Sequence, residues 1–221
     1  MGGDLQHDRE RLTFIRNAIG ESANLMLDAN QVWSVDQAIA HMIELAPYHP
    51  LWIEEPTARD EVLGFAKIAE ALAPYKIGIA TGEQVPSPVI FKQLLASGSI
   101  AFCQIDATRM GGVNDVLAVI LMAAKYGIPI CPHGGGIGLC NMIQHYALWD
   151  QITVSARSDI QFVEYLNFLQ DNYLKDFKSI EVESAVSIQR RFSKPKRKVI
   201  FYPVSKDESL DKKTFVVVGF K

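Results

Sequence analysis

No run of 18 apolar residues occurs among the 221, so a transmembrane helix has no candidate. The opening MGGDLQHDRERL lacks the basic n-region and the apolar h-region of a secretory signal. The chain is therefore expected to be intracellular, cytoplasmic or mitochondrial, with no membrane partner. Cysteine is scarce. Cys103, Cys131 and Cys140 lie in apolar segments without C-x-x-C spacing, which gives no support to a zinc site or redox pair and leaves reduced core thiols. Lysine is absent before Lys67, and no Gly-rich phosphate turn follows the first apolar run.

What is present is ordinary in bulk: 48% apolar and 21% charged residues, enough for one globular core with room for a tail. The net charge of -3 conceals an asymmetry. Residues 175–221 carry 12 Lys and Arg against 6 Asp and Glu, which makes that stretch +6 and the remainder -9. No aromatic interleaving or nucleic-acid motif accompanies the basic excess, so a solvated extension is expected and nucleic-acid binding is not. Residues 175–221 also lose the rhythm of the preceding chain and end in two β-prone pieces, VIFYPV and TFVVVGF.

Before that point strands and helices alternate. The runs ANLMLDAN, LWIEEP, IGIATGE, IAFCQIDAT and IPICPHGG are apolar and β-leaning, and each ends in polar chemistry. Helix-period segments begin at Ser34, Ala58, Ser87, Gly112 and Gly138. Such alternation predicts a parallel sheet with right-handed crossovers. Asp28, Glu54, Glu83, Asp106 and His133 recur at intervals of 26, 29, 23 and 27 residues, close to the roughly 31 residues per unit of an eight-unit barrel. A barrel brings strand ends together around one mouth, whereas an open sheet spreads them along an edge. The fold class is therefore α/β, a TIM-type (β/α) barrel.

Asp28, Glu54 and Glu83, one from each of three successive strand ends, form a hard-oxygen set suited to a divalent cation such as Mg²⁺. Without a cation their mutual repulsion would oppose the arrangement. Asp106 and His133 end the next two strands, where an Asp bonded to one imidazole nitrogen would fix the tautomer and free the other nitrogen for acid or base work. His7, His41, His49 and His145 fall in or beside helices and are expected to be structural.

The segments LMLDANQ, WIEEPT, IGIATGEQ, QIDATRMGGVND and IPICPHGGGIGLCNMIQH, in this order, resemble the C-terminal barrel of the enolase superfamily, mandelate racemase subgroup. Within it they are most similar to the L-fuconate dehydratases and their animal relatives, over about residues 1–170. The resemblance implies Asp28, Glu54 and Glu83 as Mg²⁺ ligands, and Asp106 with His133 as an acid/base dyad. It further implies that Glu164, in FVEYL, supports the substrate carboxylate, with Glu55 and Asn30 in supporting positions. The implied reaction is that of a carbon–oxygen lyase: a base takes the proton α to a sugar-acid carboxylate, and His133 helps the β-hydroxyl depart as water. L-Fuconate would thus become 2-keto-3-deoxy-L-fuconate, in a homo-oligomeric full-length protein.

The same resemblance places a Lys-x-Lys motif, two further barrel strands and a capping domain ahead of Gly2, and often a Glu where Asn141 stands. The expectation is therefore an incomplete barrel over residues 1–174, about six strands of eight, followed by a divergent basic tail over 175–221. Dehydration would be impaired in this chain taken alone. Another sugar-acid dehydration, a racemisation, or a non-catalytic role through binding or association stand as alternatives.

Overall fold

The computed structural model describes residues 1–157 and 162–164. Four strands, β1 (Met26–Asp28), β2 (Trp52–Glu54), β3 (Gly78–Thr81) and β4 (Phe102–Cys103), form one parallel sheet in chain order. Their register sets Asp28 beside Glu54 and Glu54 beside Ala80. The fifth strand is reduced to a bridge between Cys103 and Ile130, but Cys131 N donates to Cys103 O at 2.9 Å and His133 N to Ile105 O at 3.1 Å, so the ladder direction continues. Residues 162–164 reach the barrel interior without regular pairing among the described residues. The proposed boundary near residue 174 and the whole basic tail lie outside the described residues.

Helices α1 (Leu5–Ile19), α2 (Val35–Leu45), α3 (Val62–Leu72), α4 (Pro88–Ala96), α5 (Val113–Lys125) and α6 (Leu139–Trp149) complete the described elements, with a π-helical stretch at Asp150–Val154. Four of the five starts expected from the sequence, Ser34, Ser87, Gly112 and Gly138, cap helices, whereas the segment expected from Ala58 becomes helical only at Val62, with Glu61 as its cap. Ser34 caps α2 in a capping box with Gln37, satisfying two backbone donors at once. Helices α2 and α3 end on the same device, an Ala-Pro-Tyr 3-10 turn followed by a left-handed residue, His49 at φ 50° and Lys76 at φ 60°. Proline cannot continue the helical ladder, and the left-handed residue turns the chain back toward the sheet. No helix among the described residues is long and apolar enough to cross a membrane.

Helix α1 has no counterpart in the apolar pattern. Its buried face holds Asp8 and Arg16 beside Leu12 and Ile15. Arg16 donates to the carbonyls of Gly20, Ala23, Tyr48 and His49, tying α1 to the turns that lead into β1 and β2.

Period-two alternation divides the strand side chains between two cores. Leu27, Ile53, Ile79, Cys103 and Ile130 face the helices within the larger cluster. Met26, Trp52, Ala80, Phe102 and Cys131 face the barrel interior, where Phe162 joins them. Trp52, Phe102 and Phe162 pack ring to ring, with centroids 4.4 to 5.7 Å apart. The three cysteines are buried and form no disulfide with one another.

Candidate active site

The alternation that buries Met26 and Trp52 inside the barrel puts Asp28 and Glu54, two residues on, on that same inner side at the C-terminal strand ends. A pocket there is lined by Asp28, Glu54, Glu164, Gln104, Trp52 and Cys131, among others. On β3 strict alternation would turn position 82 inward instead of 83. Gly82, at φ 137°, breaks the alternation. A Cβ there would lie 2.6 Å from Gln104 O, so only glycine allows both the turn and the close approach of the next strand. Glu83 then comes within 3.2 Å of His133 Nε2 through its Oε2.

Asp28 and Glu55 have local support. Asn30 donates its backbone N–H to Asp28 Oδ1 at 2.7 Å and its side-chain amide to Oδ2. Gln31 donates through Nε2 to Glu55 Oε1 at 2.9 Å and through its backbone to Glu55 O at 2.8 Å, while its own Oε1 accepts from Arg59 N at 3.0 Å. Asn30, Gln31 and Glu55 all have positive φ, at 48°, 64° and 40°. Non-glycine residues rarely adopt that region, and it clusters at functional sites where the surroundings enforce it.

The dyad is formed. His133 Nδ1 donates to Asp106 Oδ2 at 2.7 Å. Asp106 Oδ1 accepts from Thr108 N at 2.7 Å and Thr108 Oγ1 at 2.6 Å, and Arg109 Nε stands 3.5 Å from Oδ2. Glu164 Oε2 accepts from Gly134 N at 2.7 Å. Gly135 leaves room for the imidazole, because a Cβ there would meet His133 Nε2 at 2.4 Å.

Electrostatics follow from burial and like charge. Burial, helped by Glu83, pushes Asp28 up to about 6 despite the bonds from Asn30. Burial raises Glu54 well above the carboxylate range, and the charges of Asp28 and Glu164 add to it. Glu55 is pushed up to about 7 by burial and by Glu83. Glu164 is raised chiefly by burial. The dyad behaves oppositely. Burial alone would raise Asp106, but the bonds from His133 and Thr108 outweigh it and hold its carboxyl low. Burial alone would lower His133, yet Asp106, Glu164 and Glu83 together raise it.

All eight residues singled out from the sequence lie on or beside this mouth. Asp28, Glu54 and Glu83 share one electrostatic cluster, yet no three His, Cys, Asp or Glu among the described residues converge as closely as a metal ligand set. Glu83 is engaged with His133 instead. His7, His41 and His145 lie within helices, and His49 follows a 3-10 turn. Four contributors went unread in the sequence: Gln31, Gln104, Thr108 and Arg109. Thr108 and Arg109 stand in the quoted QIDATRMGG, and the turn after a strand-end Asp, which offers backbone and hydroxyl donors two residues on, was the available signal. Gln104 and Gln31 carry no pattern that spacing could reveal.

The family model described as enolase C-terminal domain-like matches residues 1–186. Human mitochondrial enolase superfamily member 1 is 45% identical over 212 residues, 96% of this chain and 46% of that protein. Its crystal structure superposes with a TM-score of 0.72 at 50% identity, covering 76% of this chain and 38% of that one. L-galactonate dehydratase of Hypocrea jecorina is 47% identical over 197 residues, 86% of this chain and 44% of that protein. L-talarate/galactarate dehydratase from Salmonella typhimurium LT2, in a crystal structure liganded with Mg and L-lyxarohydroxamate, superposes with a TM-score of 0.64 at 30% identity, covering 77% and 40% of the two chains. The chain spans less than half the length of these relatives.

Proposed function

Since the chain belongs to the enolase C-terminal domain-like family, we propose that it carries the metal-binding and acid half of a Mg²⁺-dependent sugar-acid dehydratase site. The observation that carries this reading is the juxtaposition of two chemistries at one mouth. A carboxylate cluster, none of whose metal candidates has a Lys or Arg partner among the described residues, faces a His133–Asp106 pair bonded at 2.7 Å.

The donor set fits a hard divalent cation, which takes carboxylate oxygens and offsets the burial and like-charge repulsion that raise Asp28 and Glu54. Asp28, Glu54 and Glu83 would hold it. Bound there, Mg²⁺ would supply Lewis-acid stabilisation of negative charge on a substrate carboxylate. The remaining work falls to the chain's own groups. Asp106 fixes Nδ1 of His133 as the donor side and favours the imidazolium, so Nε2–H is the proton directed at the mouth. That proton is the one a departing β-hydroxyl needs. Glu164, anchored by Gly134 N and lining the same pocket as Asp28 and Glu54, orients the acid substrate.

L-Fuconate is the proposed substrate, supported by the strand-end motifs. The dehydratases similar to this chain are named for L-galactonate and L-talarate or galactarate, acids of the same class. The test is Mg²⁺-dependent release of 2-keto-3-deoxy acids from a panel of sugar acids, by the chain and by a full-length protein that contains it. His133→Asn should lower turnover by about 100-fold or more while leaving Mg²⁺ affinity unchanged. Near-parental turnover in that variant would remove His133 from the acid role.

A further inference from the structure

Among the described residues, two buried polar atoms inside the barrel have no hydrogen-bond partner: Trp52 Nε1, a donor, and Gln104 Oε1, an acceptor. Trp52 is 1% exposed and Gln104 3%. Both residues line the same pocket as Asp28, Glu54 and Glu164. An orphaned buried donor or acceptor costs about 1–3 kcal/mol, so a native interior seldom leaves one, and a complementary pair facing one cavity is rarer still.

The orientation of the Gln104 amide is set by its other half. The amide lies against the Glu54 carboxylate, which only accepts, so Nε2 is the end turned toward it and Oε1 is the atom left over. The Gln104 backbone is pinned as well, its N–H donating to Thr81 O at 2.9 Å. One water fits the unmet needs: its oxygen accepts from Trp52 Nε1–H and one of its hydrogens goes to Gln104 Oε1. The second hydrogen has a carboxylate within the same lining, from Asp28, Glu54 or Glu164. A buried water makes two to four such bonds and is retained because of them.

We propose that this pocket holds a single-water site bounded by Trp52 Nε1 and Gln104 Oε1, and that Gln104, held by this water, is the positioning residue for Glu54. The water site stands on geometry alone; the consequence for metal binding rests on the Mg²⁺ reading above. Groups that hold a metal ligand in place typically govern 10- to 100-fold in affinity. Gln104 thus acts through Glu54 and touches neither substrate nor metal.

The test uses the full chain labelled with ¹⁵N-tryptophan. The Trp52 indole N–H, identified by its loss in Trp52→Phe, should show a cross-peak to a long-lived water, and the peak should vanish in Gln104→Leu. In that variant, with the Trp33 and Trp149 indole signals unmoved, Mg²⁺ affinity by calorimetry should fall by about 10- to 100-fold. No cross-peak in the parent, or an unchanged one in Gln104→Leu, overturns the water site. Unchanged Mg²⁺ affinity in Gln104→Leu overturns the positioning role. A parent with the cross-peak but no Mg²⁺ affinity refutes the metal reading and leaves the water site standing.

Discussion

Replacing Asp28 with Asn sets the needs of the site against the preference of the fold. Without metal, burial and the neighbouring Glu83 push the Asp28 carboxyl from 3.8 to about 6. A carboxyl whose folded value is raised favours folding in its protonated form. That contribution is fully present below about pH 3.8 and is lost as pH rises through about 6. The difference corresponds to roughly 3 kcal/mol, reduced to about 1–3 because part of the side chain reaches solvent. Asparagine keeps the shape, never ionises, and still accepts from Asn30 N through its Oδ1, while the Asn30 amide can turn to accept from the new Nδ2. At pH 8 with chelator, Asp28→Asn should therefore melt about 2–12 °C above the parent, with the gap closing toward pH 4. Mg²⁺ at pH 8 should raise the melting temperature of the parent and leave the variant unmoved. Scanning calorimetry across pH, with and without Mg²⁺, provides the assay. A variant that melts at or below the parent at pH 8, or a gap indifferent to pH, would refute the reasoning.

Thr108→Val removes the hydroxyl donor that helps hold Asp106 low. A depressed carboxyl stabilises the fold above its unfolded value and loses that contribution as pH falls through the folded one, so the acid unfolding limb of Thr108→Val should begin at higher pH. Coincident acid limbs by circular dichroism would count against it. Gly135→Ala would place a methyl against the imidazole edge; the ¹⁵N signals of His133 should shift and turnover in a competent full-length protein should fall by about 100-fold. Retained turnover with unchanged signals would show that the ring has room to spare. Trp52→Ala empties the centre of the three-ring interior cluster and should cost about 3–5 kcal/mol in denaturant unfolding. A loss below about 1 kcal/mol would mean that the interior collapses to fill the gap.

The strand ends were legible because parallel strands covered on both faces are continuous apolar runs, and a charge at the end of such a run stands out: Glu54 after Trp52 and Ile53, Asp106 after Ile105. Helix α1 was illegible for the opposite reason. Its inward face is completed by Asp8 and Arg16, whose burial is supported by backbone partners that no periodicity encodes. Glu83 was found by regular spacing, but the device that turns it inward, a glycine with positive φ against the backbone of Gln104, appears only in three dimensions. Gln104 itself has a role defined by what its two amide ends face, which a string of letters does not record. The second glutamate of LWIEEPT does different work from its neighbour: Glu55 belongs to the Gln31 clamp that shapes the turn.

The twin Ala-Pro-Tyr turns closing α2 and α3 have a practical reading. They lie at the opposite end of the sheet from the carboxylates, because each leads into the start of a strand whose finish carries the chemistry. Tyr75 is 44% exposed there, and Lys76 already occupies a conformation that glycine adopts without cost. A chain opened between these two residues would acquire termini remote from the mouth, and the pieces on either side would each keep whole strand–helix units. This junction is therefore a natural place to build a two-fragment version of the barrel, in which reassembly can be followed by the return of the carboxylate cluster.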